Sequence, residues 1–275
     1  MSNFFERLTL LFSLAPVLRG FIAIIISGAS FPLCGVMVLR LNLIPIRYML
    51  MHGVILGGAL SLAASLPLVP AVIAVNIVMV LGIVCLGKGQ AFGFGYASAA
   101  GMIVSMAIAS LIMHVKNVPA KDSLSLLWGS PFALRLYDVM LLLCIALLLL
   151  LYLAANFHNI LAVFFNNEIA QSLGIKVKFH YTFMVLLIAL VVSVAMKLLG
   201  AFLIDSLLIL PVLCAGRINA GRFCGIKNLF LLSSGMGLAF SLAGYVIAVV
   251  CNLPPGATIS LVAGVIFIMF NGVLK

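Results

Sequence analysis

Five acidic residues, four histidines and six cysteines are all that this chain of 275 residues brings to acid, base, thiol or metal chemistry. The histidines, His52, His114, His158 and His180, are widely scattered. No HExxH pair and no GxSxG elbow is present, so neither a zinc hydrolase nor a serine hydrolase is spelled out. Gly82 to Lys88 satisfies GxxxxGK, but Gly89 follows where a Ser or Thr would hold magnesium. The stretch also closes an apolar run instead of joining a strand to a helix, so it reads as coincidence, and this chain is not expected to bind ATP itself. The cysteines show no CxxC spacing and lie mostly in apolar runs. They read as small packing residues. One acid stands apart: Asp205 lies inside an apolar run. An ionised carboxylate in lipid costs about 2.5–3.5 kcal/mol, so such a residue faces protein or water. Either Asp205 is structural, paired with Lys197 or protonated and bonded near Ser206, or it lines a pathway. Asp138 sits nearer the end of a run.

The elements that must position these residues follow from composition. Hydrophobic residues make up 66% of the chain and charged residues 7%, with a mean hydropathy of +1.39. Soluble domains average about 45–50% apolar and about 25% charged residues, so a soluble globular protein and a disordered chain are both excluded. At about 20 residues per span, the length predicts an all-α polytopic membrane protein of about nine helices (eight to ten). The apolar runs fall near 18–39, 51–65, 68–87, 92–114, 136–156, 180–197, 199–216, 228–251 and 257–273. The second and third are separated only by Leu66-Pro67 and could be pieces of one broken span. No soluble domain fits, so residues 1–275 read as a single transmembrane domain. Residues 1–17 read as a retained amphipathic helix at the interface.

Fifteen Lys and Arg against five Asp and Glu give a net charge of +10. In this composition the excess reads as basic cytoplasmic loops, not as a nucleic-acid surface. The positive-inside rule is best met with residues 157–179 and the C-terminus in the cytoplasm. Glycines recur where helices would approach closely: Gly53 and Gly57, then Gly93, Gly95 and Gly101, then Gly235, Gly237 and Gly244.

The polar segment after the fifth run reads Phe164-Phe165-Asn166-Asn167-Glu168-Ile169-Ala170-Gln171-Ser172-Leu173-Gly174-Ile175. Glu168 near a start and Gly174 as a stop predict a short amphipathic helix. Such a helix could dock on a motor subunit, or simply be a surface helix.

Here the sequence resembles a family, the permease subunits of bacterial ATP-binding-cassette importers for zinc, manganese and iron. Asn166 to Ile175 follows the family's Asn/Asp-x-Glu-x-Ala-x-x-x-Gly-Ile pattern. Lys197, Gly200, Ala201, Leu203, Leu207, Leu208 and Pro211 match a second pattern, Asp122 to Ser130 is similar to an outer-loop signature, and Leu253 to Ile259 looks like the start of the terminal helix. The resemblance implies a permease bundle working as a homodimer in the bacterial plasma membrane. Cytoplasmic ATPase subunits would dock on the coupling residues Asn166, Glu168, Ala170 and Gly174 within the 157–179 coupling loop, and would bind the ATP. An extracytoplasmic solute-binding protein would deliver a divalent transition metal as cargo, with no cofactor held by this chain. His52, Asp205 and Gln90 are the pathway candidates, and His52 and Asp205 the metal ligands. Three positions depart from the family: Tyr48 replaces an Asp, Leu56 a Pro, and Gln90 an acid at the start of the fourth span. With Arg47 adjacent, these departures keep two alternatives open: a metal chelate or other small solute as cargo, and a scaffold that does not transport.

Overall fold

The computed structural model describes residues 12–86, 93–117, 129–221 and 225–273. They form helices α1 (Ala15–Arg40), α2 (Ile44–Ala64), α3 (Leu68–Leu86), α4 (Gly93–Val115), α5 (Leu136–Phe165), α6 (Asn167–Ser172), α7 (Val177–Leu199), α8 (Ala201–Gly221), α9 (Ile226–Cys251) and α10 (Pro255–Val273). Among the described residues there is no strand. Seven helices are long and apolar enough to cross a membrane, and α3 and α10 contribute shorter apolar helices. Helices suit this role because each satisfies its own backbone hydrogen bonds in lipid.

The boundaries have local causes. The break between α2 and α3 is complete: Ser65 adopts φ 53° as the cap of α2, and Pro67 precedes α3. Leu66-Pro67 therefore separates two helices. Between α1 and α2 the chain reverses at Asn42 (φ 54°). There the Leu43 N–H donates to the Val38 carbonyl at 2.8 Å and the Asn42 N–H to that of Leu39 at 3.3 Å. This is the left-handed helix stop that Asn tolerates better than most residues. The 157–179 segment is mostly helical, because α5 continues to Phe165 across a kink at Asn156 (φ −118°, ψ 20°).

The helices fall into two compact units. The first contains residues 12–36, 129–148, 198–221 and 225–273. Here α8, α9 and α10 pack on one another, with Cys214, Phe240 and Ala263 wholly or nearly buried among them. α1 joins through glycines: Gly28 lies against Ser241 and the Gly237 carbonyl, and Gly35 against the Leu208 carbonyl. Tyr245 donates from its Oη to the Val17 carbonyl at 2.7 Å, and its ring packs near those of Phe21 and Phe132. The second unit contains residues 37–86, 93–117 and 149–197. In it α2 packs between α3 and α4. Gly57 approaches the Val72 backbone, and Gly53 meets Asn76 and Met79. The glycine signal thus marks close contacts at Gly53, Gly57, Gly101, Gly237 and Gly244, whereas Gly95 and Gly235 face open space.

Candidate functional site: a short capped helix and a cavity beside His52

Helix α6 is six residues long and polar, and each end is sealed by its own chemistry. Asn166 is the N-cap, and its Oδ1 accepts the N–H groups of Glu168 at 2.7 Å and Ile169 at 3.3 Å. Glu168 lies in the first turn, where a negative charge suits the positive end of the helix. At the other end Gly174 takes φ +78°. Its N–H donates to the Gln171 carbonyl at 2.9 Å, and the Ile175 N–H to that of Ala170 at 3.0 Å. These two bonds make a complete Schellman stop, which needs a left-handed residue at the glycine. Ala170 is buried, whereas Asn166, Glu168 and Gly174 are exposed. The expected coupling residues thus form one compact element with an outward polar face.

Two membrane-crossing helices hold this element between them. Above it, α5 and α7 share a buried polar joint. Tyr152 Oη lies 3.1 Å from His180 Nδ1, and Asn159 Nδ2 lies 3.4 Å from His180 Nε2. The amide can only donate to Nε2, so the proton of the neutral ring sits on Nδ1 and points to the tyrosine oxygen. Phe183 packs on the Tyr152 ring with centroids 4.4 Å apart. Below the joint, a cavity of about 740 Å³ brings Asn42 and Tyr96 together with Asn167 and Tyr181.

His52 is half-buried on α2. Its Nδ1 lies 2.8 Å from the Tyr48 carbonyl, and the ring lines a cavity of about 360 Å³ with Met102, Ile103, Met106, Ala107 and Ser110 of α4. Arg47 is buried, with its guanidinium 4.3 Å above the Tyr48 ring. Asp205 is half-buried on α8 in the first unit, whereas His52 belongs to the second. The adjoining Ser206 donates to the Leu203 carbonyl at 2.9 Å and accepts from Ser260 at 3.1 Å. Gln90 lies outside the described residues. Among the described residues, no three His, Cys, Asp or Glu side chains gather as a metal cluster. The four described cysteines, Cys34, Cys144, Cys214 and Cys251, are free thiols.

Two groupings escaped the sequence. The joint of Tyr152, Asn159 and His180 spans 28 residues and leaves no local pattern. The alignment of Met102, Met106 and Ser110 on one face of α4 was legible as a four-residue spacing, but no feature of that run singled it out.

Apolar helices long enough to cross a membrane, joined by one short capped polar helix, define a polytopic membrane protein. Residues 14–272 match the ABC 3 transport family, and the chain belongs to that family. It is 30% identical over 148 residues to the manganese import system permease protein ScaB of Streptococcus gordonii, covering 54% of this chain and 52% of that protein. It is 25% identical over 230 residues to the manganese transport system membrane protein MntC of Listeria monocytogenes, covering 80% and 81%. The solved structure of PsaBC from Streptococcus pneumoniae in complex with Fab superposes with a TM-score of 0.81 at 22% identity, over 96% of this chain and 94% of that one. At that identity the superposition establishes the fold.

Proposed function

We propose that this chain is the membrane-spanning subunit of an ATP-driven importer for a divalent transition metal, zinc, manganese or iron. Two copies line a central pathway in the bacterial plasma membrane, with the C-terminus in the cytoplasm. Cytoplasmic ATPase subunits dock on the α6 helices, and an extracytoplasmic binding protein delivers the metal. The observation that carries the reading is α6 itself. A six-residue helix that keeps its own caps and presents Asn166 and Glu168 outward is suited to receive a push from a partner and pass it to α5 and α7. His52 and Asp205 are the pathway residues, since an apolar lining cannot replace the water that a metal ion sheds. The naming of the ScaB and MntC relatives as manganese permeases supports a metal cargo.

A metal chelate is the second reading. It is favoured by Tyr48 at the family's aspartate position and by the sparse set of ligands on the described residues. Arg47 gives it little help, because its side chain is buried over the Tyr48 ring.

The test is ATP hydrolysis by the assembled complex in proteoliposomes. Loaded binding protein should stimulate it and drive metal uptake, and His52→Ala or Asp205→Asn should sharply reduce that uptake. A complex whose ATPase ignores the loaded protein would refute transport in favour of a scaffold. Uptake of chelate that free metal fails to compete would move the cargo to the second reading.

A further inference from the structure

We propose that His180 is a clasp across the bend of α5, a positioning residue that sets the angle at which α5 presents α6. The proposal rests on the importer reading and deepens it by naming what regulates the coupling element.

The bend has a local cause. α5 contains neither Pro nor Gly, so the kink must come from a side chain that enters its hydrogen-bond ladder. Asn156 does this. Its backbone departs from helical geometry (φ −118°, ψ 20°), and its Nδ2 donates at 3.3 Å to the Tyr152 carbonyl, the acceptor four residues back. Residues 157–165 therefore form an arm beyond the bend, and Asn166 joins that arm to α6 as its cap. The chain next turns sharply at Gly174 (φ +78°). The arm and α6 thus lie between two points of rotation.

His180 meets both sides of the bend. Tyr152 stands about one turn before Asn156 and Asn159 about one turn after it, and one imidazole bonds to both. The bonds run in a single direction. Asn159 Nδ2 donates to Nε2 at 3.4 Å, and Nδ1 donates to Tyr152 Oη at 3.1 Å. The tyrosine's own proton points to the His180 carbonyl at 3.5 Å. A group bonded to one side alone would tie α5 to α7 and leave the bend free. A group bonded to both sides fixes the bend itself.

The two holds are unequal. Tyr152 is buried, and its ring packs on that of Phe183 with centroids 4.4 Å apart. Asn159 is half-buried, and its bond to the imidazole is the longer one. The clasp therefore opens at Asn159 while Tyr152 stays fixed to α7. Closed, it passes a push on α6 to the membrane-crossing part of α5; open, the bend absorbs that push. The plain alternative is that burial of Ile160 and Val163 fixes the arm, with the polar contacts only filling the seam.

The test compares Asn159→Leu, His180→Leu and His180→Gln in the full-length chain, in nanodiscs and in proteoliposomes with its ATPase and binding-protein partners. Leu at either position removes the bond across the bend, whereas Gln keeps an amide oxygen near the place of Nε2 to accept it. An average side-chain hydrogen bond between membrane helices corresponds to about a threefold change in an equilibrium. Amides of residues 157–163 should therefore exchange about threefold faster in Asn159→Leu, and at least as fast in His180→Leu, with residues 140–150 unchanged. The double variant should exchange no faster than His180→Leu, because both changes break the same bond. ATP hydrolysed per Mn²⁺ taken up should rise by a similar factor in both Leu variants, and His180→Gln should restore the ratio and the protection. Asn159→Ala replaces Asn159→Leu if the latter fails to fold. Unchanged exchange at 157–163, or a wild-type ratio of ATP to Mn²⁺ in the Asn159 variant, overturns the proposal. So does a Gln variant no better than Leu at position 180. The importer reading fails separately: a wild-type complex that moves no Mn²⁺, Zn²⁺ or Fe²⁺ removes it, and hydrogen exchange alone then decides the clasp.

Discussion

Replacing Asn166 with Ala removes one side chain and the two hydrogen bonds that seal the start of α6. Loss of an Asn cap costs about 1 kcal/mol, within a range of about 0.5–2. A helix of six residues has no reserve of propensity to absorb that loss, since isolated helices below about 12–15 residues are marginal in water. The loss therefore acts on the local equilibrium of α6, where about 1 kcal/mol is a factor of about five in the folded ratio. Hydrogen exchange read by mass spectrometry should show residues 167–175 exchanging about fivefold faster, with the buried stretch of α7 unchanged. Asn166→Asp keeps the acceptor and should exchange as the wild type does. Gly174→Ala forces a Cβ into a backbone with φ +78° and should loosen the opposite end by a similar amount, about 1 kcal/mol. In the assembled complex, Asn166→Ala should lower stimulated ATPase activity while leaving the basal rate in place. Wild-type exchange and wild-type stimulation in that variant would refute the idea that the cap holds α6 together for the proposed coupling.

Two further outcomes follow from the same geometry. In thermal unfolding of the purified protein, a cycle of Tyr152→Phe and His180→Phe should give a coupling of about 0.6 kcal/mol, the mean for side-chain hydrogen bonds between membrane helices. Additive effects would mean the joint contributes nothing. For orientation, Arg217→Cys should react with an impermeant thiol reagent only from the cytoplasmic side and Arg135→Cys only from outside. The reverse pattern would overturn the assignment of the 157–179 segment to the cytoplasm.

The apolar runs located the membrane helices because lipid imposes a length and a composition on each of them. The run at 180–197 became Val177–Leu199, and that at 228–251 became Ile226–Cys251. The short helix was equally legible, since Asn166 and Gly174 are local signals that act within a turn or two. The continuation of α5 past Asn156 was not. Asn156, His158 and Asn159 read as the end of a span, yet Asn159 is stabilised by His180, 21 residues further on. The polar break was in fact one half of a joint whose other half lies on another helix. The buried contact of Asn76 with Ser193 was hidden for the same reason, since the two are 117 residues apart, and the methionines beside His52 carry no pattern until their neighbours in space are known.

The division into units has a consequence for how the protein is made. The second unit is complete once Lys197 has entered the membrane, but the first draws on residues from both ends of the described chain. Helix α1 leaves the ribosome early and must wait for α8 and α9, whose Leu208, Gly237 and Ser241 receive Gly35 and Gly28. During that interval it lies in lipid with its glycine face uncovered. Its two buried hydroxyls do not wait with it, because Ser27 donates to the Ala23 carbonyl and Ser30 to the Ile26 carbonyl, each at 2.7 Å. With both hydroxyls met within its own backbone, α1 leaves the Gly28 carbonyl, which Pro32 frees, to be covered when Gly237 arrives. Truncation within α8 or α9 should therefore release an inserted but half-assembled chain, a substrate for membrane proteases and not for cytosolic ones.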